Sequence, residues 1–136
     1  MKKGFTLIEL LAVVIVLSLI MVIAVPYVMK TLNDSKKKTF DTQAKLIWQS
    51  AEKQYLADNM RGIEKYCYGT GELDLSTVAP NVSYYVNLDE NGKVTSIKVQ
   101  DTVEKFIAEG ASQNGITITS DRTLTTDTPI LKCDEE

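Results

Sequence analysis

Of the side chains that could do chemistry in this 136-residue chain, Glu9 is the most informative, because a carboxylate is out of place there. It stands directly before Leu10–Met29, a run of uncharged residues in which Ser18 is the only hydrophilic side chain. About twenty such residues cross a bilayer core of ~30 Å as a helix. A carboxylate drawn deep into such a segment costs of order 2.5–3.5 kcal/mol, and intramembrane carboxylates generally have a partner. Lys2 and Lys3 can fill that role only while the first residues stay attached.

The remaining candidates are weaker. There is no histidine, which removes His-dependent triads, histidine zinc sites and haem ligation by imidazole. Cys67 and Cys133 are the only cysteines, and spacing this wide is not a metal motif. They are either two buried thiols or, if the region meets an oxidising compartment, a bridge. A bridge would close a loop of about 67 residues, worth ~4 kcal/mol in chain entropy. Asn87, Asp89, Asn91 and Gly92 mimic the opening of a calcium loop, but Lys98 stands where the bidentate Glu belongs, so a hairpin turn is the simpler reading. Gly69-Thr70-Gly71 lacks the following Gly-Lys-Ser/Thr of a phosphate loop. Asn81-Val82-Ser83 fits an N-glycosylation sequon. Trp48 and Tyr55 sit at helical spacing, which favours core packing over ligand stacking. No nucleophile–base pair or paired carboxylates suggest an enzyme, and no cofactor or metal is expected.

The elements that hold these residues follow from pattern. The helical signal continues past the apolar run, since residues 27–59 contain neither Gly nor Pro. Leu32, Phe40, Ala44, Ile47, Trp48, Ala51 and Tyr55 mark one apolar face, with Lys36, Lys37, Lys38, Lys45, Glu52 and Lys53 on the wet side. Asn59 and Gly62 offer a stop. A helix from Phe5 to Asn59 would be roughly 80 Å long at ~1.5 Å per residue. Pro26 cannot donate to the carbonyl of Val22, so a kink is expected there. Gly62 to Pro80 reads as a connector. Residues 82–88 and 93–99 read as a hairpin around the turn Asp89–Gly92. Asp101 or Thr102 is expected to cap a short helix through Val103, Phe106 and Ile107 to Gly110. Residues 116–119 and 129–133 are further strand candidates, with Pro129 suited to a strand start or edge. The architecture is α+β: a long N-terminal helix, apolar in its first half and amphipathic in its second, packed on a small antiparallel sheet.

Two ordinary readings of the N-terminus fit poorly. A secretory signal would have a shorter apolar stretch and a small-x-small cleavage site, and Ala24-Val25-Pro26-Tyr27 is a poor one. A plain anchor does not account for Glu9, and more lysines follow the segment than precede it. Residues 2–11, Lys-Lys-Gly-Phe-Thr-Leu-Ile-Glu-Leu-Leu, instead resemble the class III leader of a type IV pilin: a short basic leader, Gly, Phe, then Glu at the fifth mature position. Pro26 also falls where that family carries a helix-kinking proline. The strong match covers residues 1–30.

The resemblance implies a leader (residues 1–4), a transmembrane and filament-core helix half (5–29) and a globular pilin head (30–136) that includes the amphipathic helix half. It implies cleavage between Gly4 and Phe5 by prepilin peptidase and methylation of the new Phe5 amine. Cleavage removes both leader lysines and leaves 13 basic against 18 acidic side chains. It also creates an amine of pKa ~7.7–8 at Phe5. In the family the Glu of an incoming subunit engages a neighbour's N-terminus, a role that falls on Glu9 and Phe5 here. The resemblance likewise implies a Cys67–Cys133 disulfide stapling the C-terminal region.

The expected function is therefore a structural subunit of a type IV pilus, a homopolymer built by the pilus assembly platform and its ATPase. It would be held in the cell membrane as a single span before assembly and in the extracellular filament afterwards. Adhesion and motility are the associated activities. The alternative is a pseudopilin of a type II secretion system or a pilin of a DNA-uptake apparatus. Direct nucleic-acid binding is not expected, because residues 30–136 carry 13 basic and 17 acidic side chains.

Overall fold

One helix, α1 (Leu7–Met60), carries the apolar run and the amphipathic stretch, with Pro26 inside it. The computed structural model describes residues 4–75 and 81–133. Lys2, Lys3, the end of the connector at Pro80 and the acidic tail 134–136 lie outside the described residues. The chain divides into two compact units, Met1–Ser35 and Lys36–Glu136. In the first, every described residue is exposed, Leu32 included. Leu32 was expected on the buried helix face, but it belongs to the first unit, and the buried face begins at Phe40.

In the second unit that face is Phe40, Ala44, Ile47, Trp48, Ala51 and Tyr55. It packs on a five-stranded antiparallel sheet, ordered as in the chain: β1 (Cys67–Gly69), β2 (Val82–Leu88), β3 (Val94–Asp101), β4 (Phe106–Gly110) and β5 (Thr117–Ser120). Val82, Tyr84, Val86, Ile97, Val99, Phe106 and Ala108 supply the facing layer, two residues apart along each strand as the pleat demands. Trp48 and Tyr55 are core residues. Trp48 Nε1 donates to Glu52 Oε1 at 3.1 Å, and the Tyr55 hydroxyl donates to the Glu90 carbonyl at 2.8 Å. Burying an indole or phenol therefore leaves neither donor unmet.

The β2–β3 hairpin turns at Asp89–Gly92. Asp89 Oδ1 accepts from the N–H groups of Asn91 and Lys93, both at 2.9 Å. Gly92 has φ +82°, and a Cβ there would collide with the Tyr55 ring. Glycine is needed both for the left-handed backbone and for the helix's approach.

Beyond Leu32, three further expectations need correction. Asp101–Gly110 is no helix. Asp101 Oδ1 caps a tight turn instead, accepting from Val103 N–H at 2.9 Å and Glu104 N–H at 3.1 Å, and Lys105 takes φ 60°. Phe106 and Ala108 then face the core as β4, paired with Asp101 and Val99. The spacing of 103, 106 and 107 imitates a helix, yet sheet pairing wins because the stretch is short and ends at a glycine. Residues 129–133 form no strand. They cross the sheet face opposite α1, with Gln100 Nε2 donating to Pro129 O at 2.8 Å and Thr70 Oγ1 to Leu131 O at 2.7 Å. Side chains satisfy these carbonyls in place of a ladder. Finally, the connector hides β1, which pairs Cys67 with Asn87 and Gly69 with Tyr85.

Helix α1 ends as its residues direct. Gly62 has φ +79°, its N–H reaches Asn59 O at 3.0 Å, and Ile63 N–H reaches Asp58 O at 2.9 Å, the paired bonds of a Schellman stop. Beside that stop, Asp58 is only 8% exposed. Its carboxylate accepts from the Tyr68 hydroxyl at 2.8 Å and from Gln54 Nε2 at 2.9 Å. The Tyr68 bond, joined by Gln54, Arg61 and Lys65, holds the Asp58 carboxyl below its ordinary value against the opposing effect of burial. Burial, and then Asp58 itself, push the Tyr68 phenol up. A depressed carboxyl stabilises the fold above its unfolded pKa of ~3.9 and loses that contribution as pH falls through the folded value. A raised phenol stabilises it below ~10 and loses that as pH rises. The clasp thus works between these limits. Asp58→Asn is expected to lower the thermal midpoint at pH 7 and to flatten its decline between pH 5 and 2. Tyr68→Phe is expected to do the same and also to blunt alkaline unfolding. Near-ultraviolet circular dichroism of the detergent-solubilised chain across pH measures both.

Candidate assembly site

The N-terminal segment is built from Gly4, Phe5, Thr6 and Glu9. A Cβ on Gly4 would meet nothing within 4 Å, and Phe5 is 90% exposed. Thr6 precedes the first helical residue. Its Oγ1 accepts from Glu9 N–H at 3.3 Å, while Glu9 Oε2 accepts from Thr6 N–H at 3.2 Å. This reciprocal pair is a capping box, which satisfies two orphan donors at the helix start. Glu9 thus has a local partner that reading it only as an intersubunit contact overlooked. The signal was present as Thr6-Leu7-Ile8-Glu9, the S/T-x-x-E pattern. The carboxylate also sits in the first turn, where the positive end of the helix dipole favours it. The structure therefore places Glu9 four residues from Phe5 and already turned toward the N-terminus.

Past Glu9, the helix leaves Leu10, Val14, Leu17, Ile20 and Val25 each at least half exposed. Within the run Ser18 Oγ donates to Val14 O at 2.7 Å, which removes the one polar demand that an apolar environment could not meet. Thr31 Oγ1 does the same to Tyr27 O at 3.0 Å. The span Leu7–Met60 contains a segment long and apolar enough to cross a membrane. Contiguous apolar surface of this extent marks a contact with lipid or protein.

At the far end of the chain, Cys67 and Cys133 are bridged, with Cα atoms 5.9 Å apart. The bridge pins the terminal strap to β1. Close approach depends on Gly69, where a Cβ would lie 3.0 Å from the Cys133 nitrogen. Glu72 braces the same corner by accepting from Gly69 N–H and pairing with Lys65 at 2.8 Å. Burial pushes its carboxyl up, but the Gly69 and Lys65 contacts outweigh it and the net direction is down. Between strap and sheet lies a cleft of about 190 Å³ whose lining mixes uncharged polar residues, among them Thr70, Ser83, Gln100 and Thr128, with the apolar Val82 and Ile130. Ser83 Oγ is buried there without a hydrogen-bond partner among the described residues. The calcium-like residues do not gather around an ion site: Asn87 Nδ2 donates to Ser96 Oγ at 3.0 Å, and Asp89 is committed to its turn. Among the described residues no three His, Cys, Asp or Glu side chains are grouped to hold a metal.

Residues 1–25 fit the family model of the prokaryotic N-terminal methylation motif. No curated protein and no solved structure matches the chain. The N-terminal segment is thus a class III prepilin leader followed by a long apolar helix, and the architecture of helix on antiparallel sheet is pilin-like. Together they support a type IV pilin-like or pseudopilin protein.

The staple closes a loop between residues 66 apart. Cys133→Ser, or reduction of the native protein, is expected to lower the stability of the second unit by up to ~4 kcal/mol. Urea unfolding with and without reductant measures this, and equal midpoints would show that the bridge does not stabilise the unit.

Proposed function

We propose that this chain is the structural subunit of a type IV pilus, a scaffold protein and not an enzyme. The observation that carries the reading is the methylation motif at residues 1–25, placed at the start of a helix whose apolar side chains from Leu10 to Met29 are all exposed among the described residues. Prepilin peptidase would cut between Gly4 and Phe5 and methylate the Phe5 amine. The apolar half would reside in the cell membrane until assembly and then in the core of an extracellular homopolymer. Pro26 would allow the helix to bend inside that core. The bridge between Cys67 and Cys133 favours a pilin over a major secretion pseudopilin, in which such a staple is unusual.

Glu9 would change partners during assembly. Loss of the leader lysines leaves the new amine at Phe5 as the available cation, and a carboxylate and an ammonium attract strongly where water is excluded. Each charge offsets part of the other's desolvation cost. The Glu9 carboxylate of an incoming subunit would exchange its bond with Thr6 N–H for the amine of a neighbour. This fixes axial register.

Two outcomes are expected. Mass spectrometry of the filament protein finds an N-methylated Phe5 at its start, and Gly4→Leu retains the leader and blocks assembly. An N-terminus at Met1 in assembled material would refute the processing. Glu9→Val is inserted and cleaved but loses filaments, measured as sheared surface yield against membrane-bound processed protein. Glu9→Gln separates the two roles of the residue, since glutamine can complete a capping box but carries no charge. A filament yield as low as that of Glu9→Val assigns the defect to the lost ion pair. Normal yield from Glu9→Gln assigns it to the helix start.

A further inference from the structure

The Cys67–Cys133 bridge joins two different kinds of chain. Cys67 sits in β1, where the ladder pairs it with Asn87. Cys133 ends the strap, which has no ladder and is fastened through Gln100 and Thr70. Both cysteines are half-buried, so exposure alone does not distinguish the two sulfurs. Their surroundings do. A cleft of about 410 Å³ opens at this corner, lined by Gly69, Thr70, Glu72, Lys132 and Cys133. Cys67 is not among the residues that line it.

Glu72 supplies a chemical difference. Its Oε2 lies 3.9 Å from Cys133 Sγ. A bridged sulfur has no proton to donate, so this contact sets a carboxylate against a sulfur and is not a hydrogen bond. The carboxylate is held there, since Oε2 accepts from Gly69 N–H and Oε1 pairs with Lys65 Nζ at 2.8 Å. Burial works against its charge, but those contacts outweigh it and keep the carboxyl below its ordinary value. Glu72 is therefore an anion at neutral pH. Other charges stand nearby. Lys65 is engaged with Glu72 itself, Lys132 adds a cation to the cleft, and the acids Asp134, Glu135 and Glu136 follow Cys133 in sequence. The cations moderate the effect of Glu72, but Coulomb energy falls with distance, so a carboxylate in contact with Sγ weighs heavily.

In thiol–disulfide exchange a thiolate attacks one sulfur of a bridge and the other leaves as a thiolate. The sulfur whose thiol has the lower pKa leaves faster. A carboxylate beside Cys133 makes a thiolate there costly. Cys67 is then the better leaving group, while the cleft gives an attacker access to Cys133.

We propose that Cys133 is the site at which thiols modify this chain, and that Glu72 directs the attack there by making Cys67 the leaving group. The incoming thiolate forms a bond to Cys133 Sγ as the bridge's S–S bond breaks. The electron pair of that bond goes to Cys67 Sγ, which takes a proton from water. One disulfide replaces another, with no net oxidation. Bridge formation follows the same path in reverse: the Cys67 thiolate, positioned by β1, attacks Cys133 Sγ in a mixed disulfide and expels the partner's thiolate. The chemistry needs a partner that is a thiol or its disulfide, and the end of the strap is where it attaches.

The test exposes the full chain in detergent briefly to 2-mercaptoethanol, quenches with acid and alkylates the released thiol with N-ethylmaleimide. Peptide mapping by mass spectrometry then locates adduct and alkyl group. At the earliest times, adduct on Cys133 with alkylated Cys67 is expected to exceed the converse by at least about threefold. Glu72→Gln keeps an acceptor for Gly69 N–H but loses the charge, and should lower that ratio by about twofold or more. Glu72→Asp keeps the charge and should keep the preference. Concentrated urea, which separates Glu72 from the bridge, should lower the ratio as Glu72→Gln does. Equal adducts on the two cysteines, or an excess on Cys67, overturn the proposal. So does a preference that survives unchanged in Glu72→Gln or in urea, which would assign it to the residues beside Cys133 in sequence.

Discussion

A chain of this size has one large apolar surface that its own fold leaves uncovered, and the rest of the design follows from that. From Leu10 to Met29 the side chains stay exposed all round the helix. Covering a Leu, Ile or Val side chain is worth about 1.5–3 kcal/mol, so the sum forgone within one molecule is large. Lipid or another protein surface is the kind of surroundings that would supply it. Polar groups in the segment are accordingly few and already satisfied: Ser18 by the Val14 carbonyl, and the helix start by the exchange between Thr6 and Glu9. The capping box gives Glu9 a dual character. It ends the helix cleanly in the isolated chain and leaves a carboxylate at the site where cleavage would release an amine.

Giving those residues to the surroundings leaves the second unit short of hydrophobic material. It compensates by using both faces of one sheet. On one face the amphipathic half of α1 lays down Phe40, Ala44, Ile47, Trp48, Ala51 and Tyr55, with alanines at 44 and 51 allowing close approach. On the other face a strap without secondary structure is held by Gln100, Thr70 and the Cys67–Cys133 bridge. Leu124 is buried yet stands apart from the helix-facing cluster. Polar contacts do much of the fastening. Asp58, Gln54 and Tyr68 lock the helix end to β1, and Tyr55 locks the β2–β3 turn to the helix through the Glu90 carbonyl. Each buried polar group that takes part has a partner, which is what keeps such a network stabilising.

Much of this was legible from residue order alone, for a local reason. The leader motif, the apolar run, the amphipathic face, the Gly62 stop and the Asp89–Gly92 turn are all set by neighbours within a few positions. A 3.6-residue period identifies a helix face without knowledge of what will cover it, and alternation does the same for β2 and β3. The capping box belongs to this class as well, since Thr6 and Glu9 are three residues apart.

Other features depended on partners distant in the chain. β1 is three residues long and has no period of its own, so it exists because Cys67–Gly69 finds the free edge of β2. Residues 103, 106 and 107 carry a helical spacing, but β3 offers a ladder, and pairing with it overrides the local preference. The strap from Pro129 looked like a strand, yet Gln100 and Thr70 take its carbonyls first. Asp58 is buried only because Tyr68, ten positions on, folds back over it. Lys36 and Glu104 meet only because the β3–β4 turn returns to the helix. The sequence by itself determined the helix, its apolar half, the processing signal and the central hairpin, because those rest on contacts between near neighbours. Only the tertiary structure decided the sheet edge, the strap, the buried carboxylate and the Lys36–Glu104 pair, because each needs two segments that the chain must first bring together.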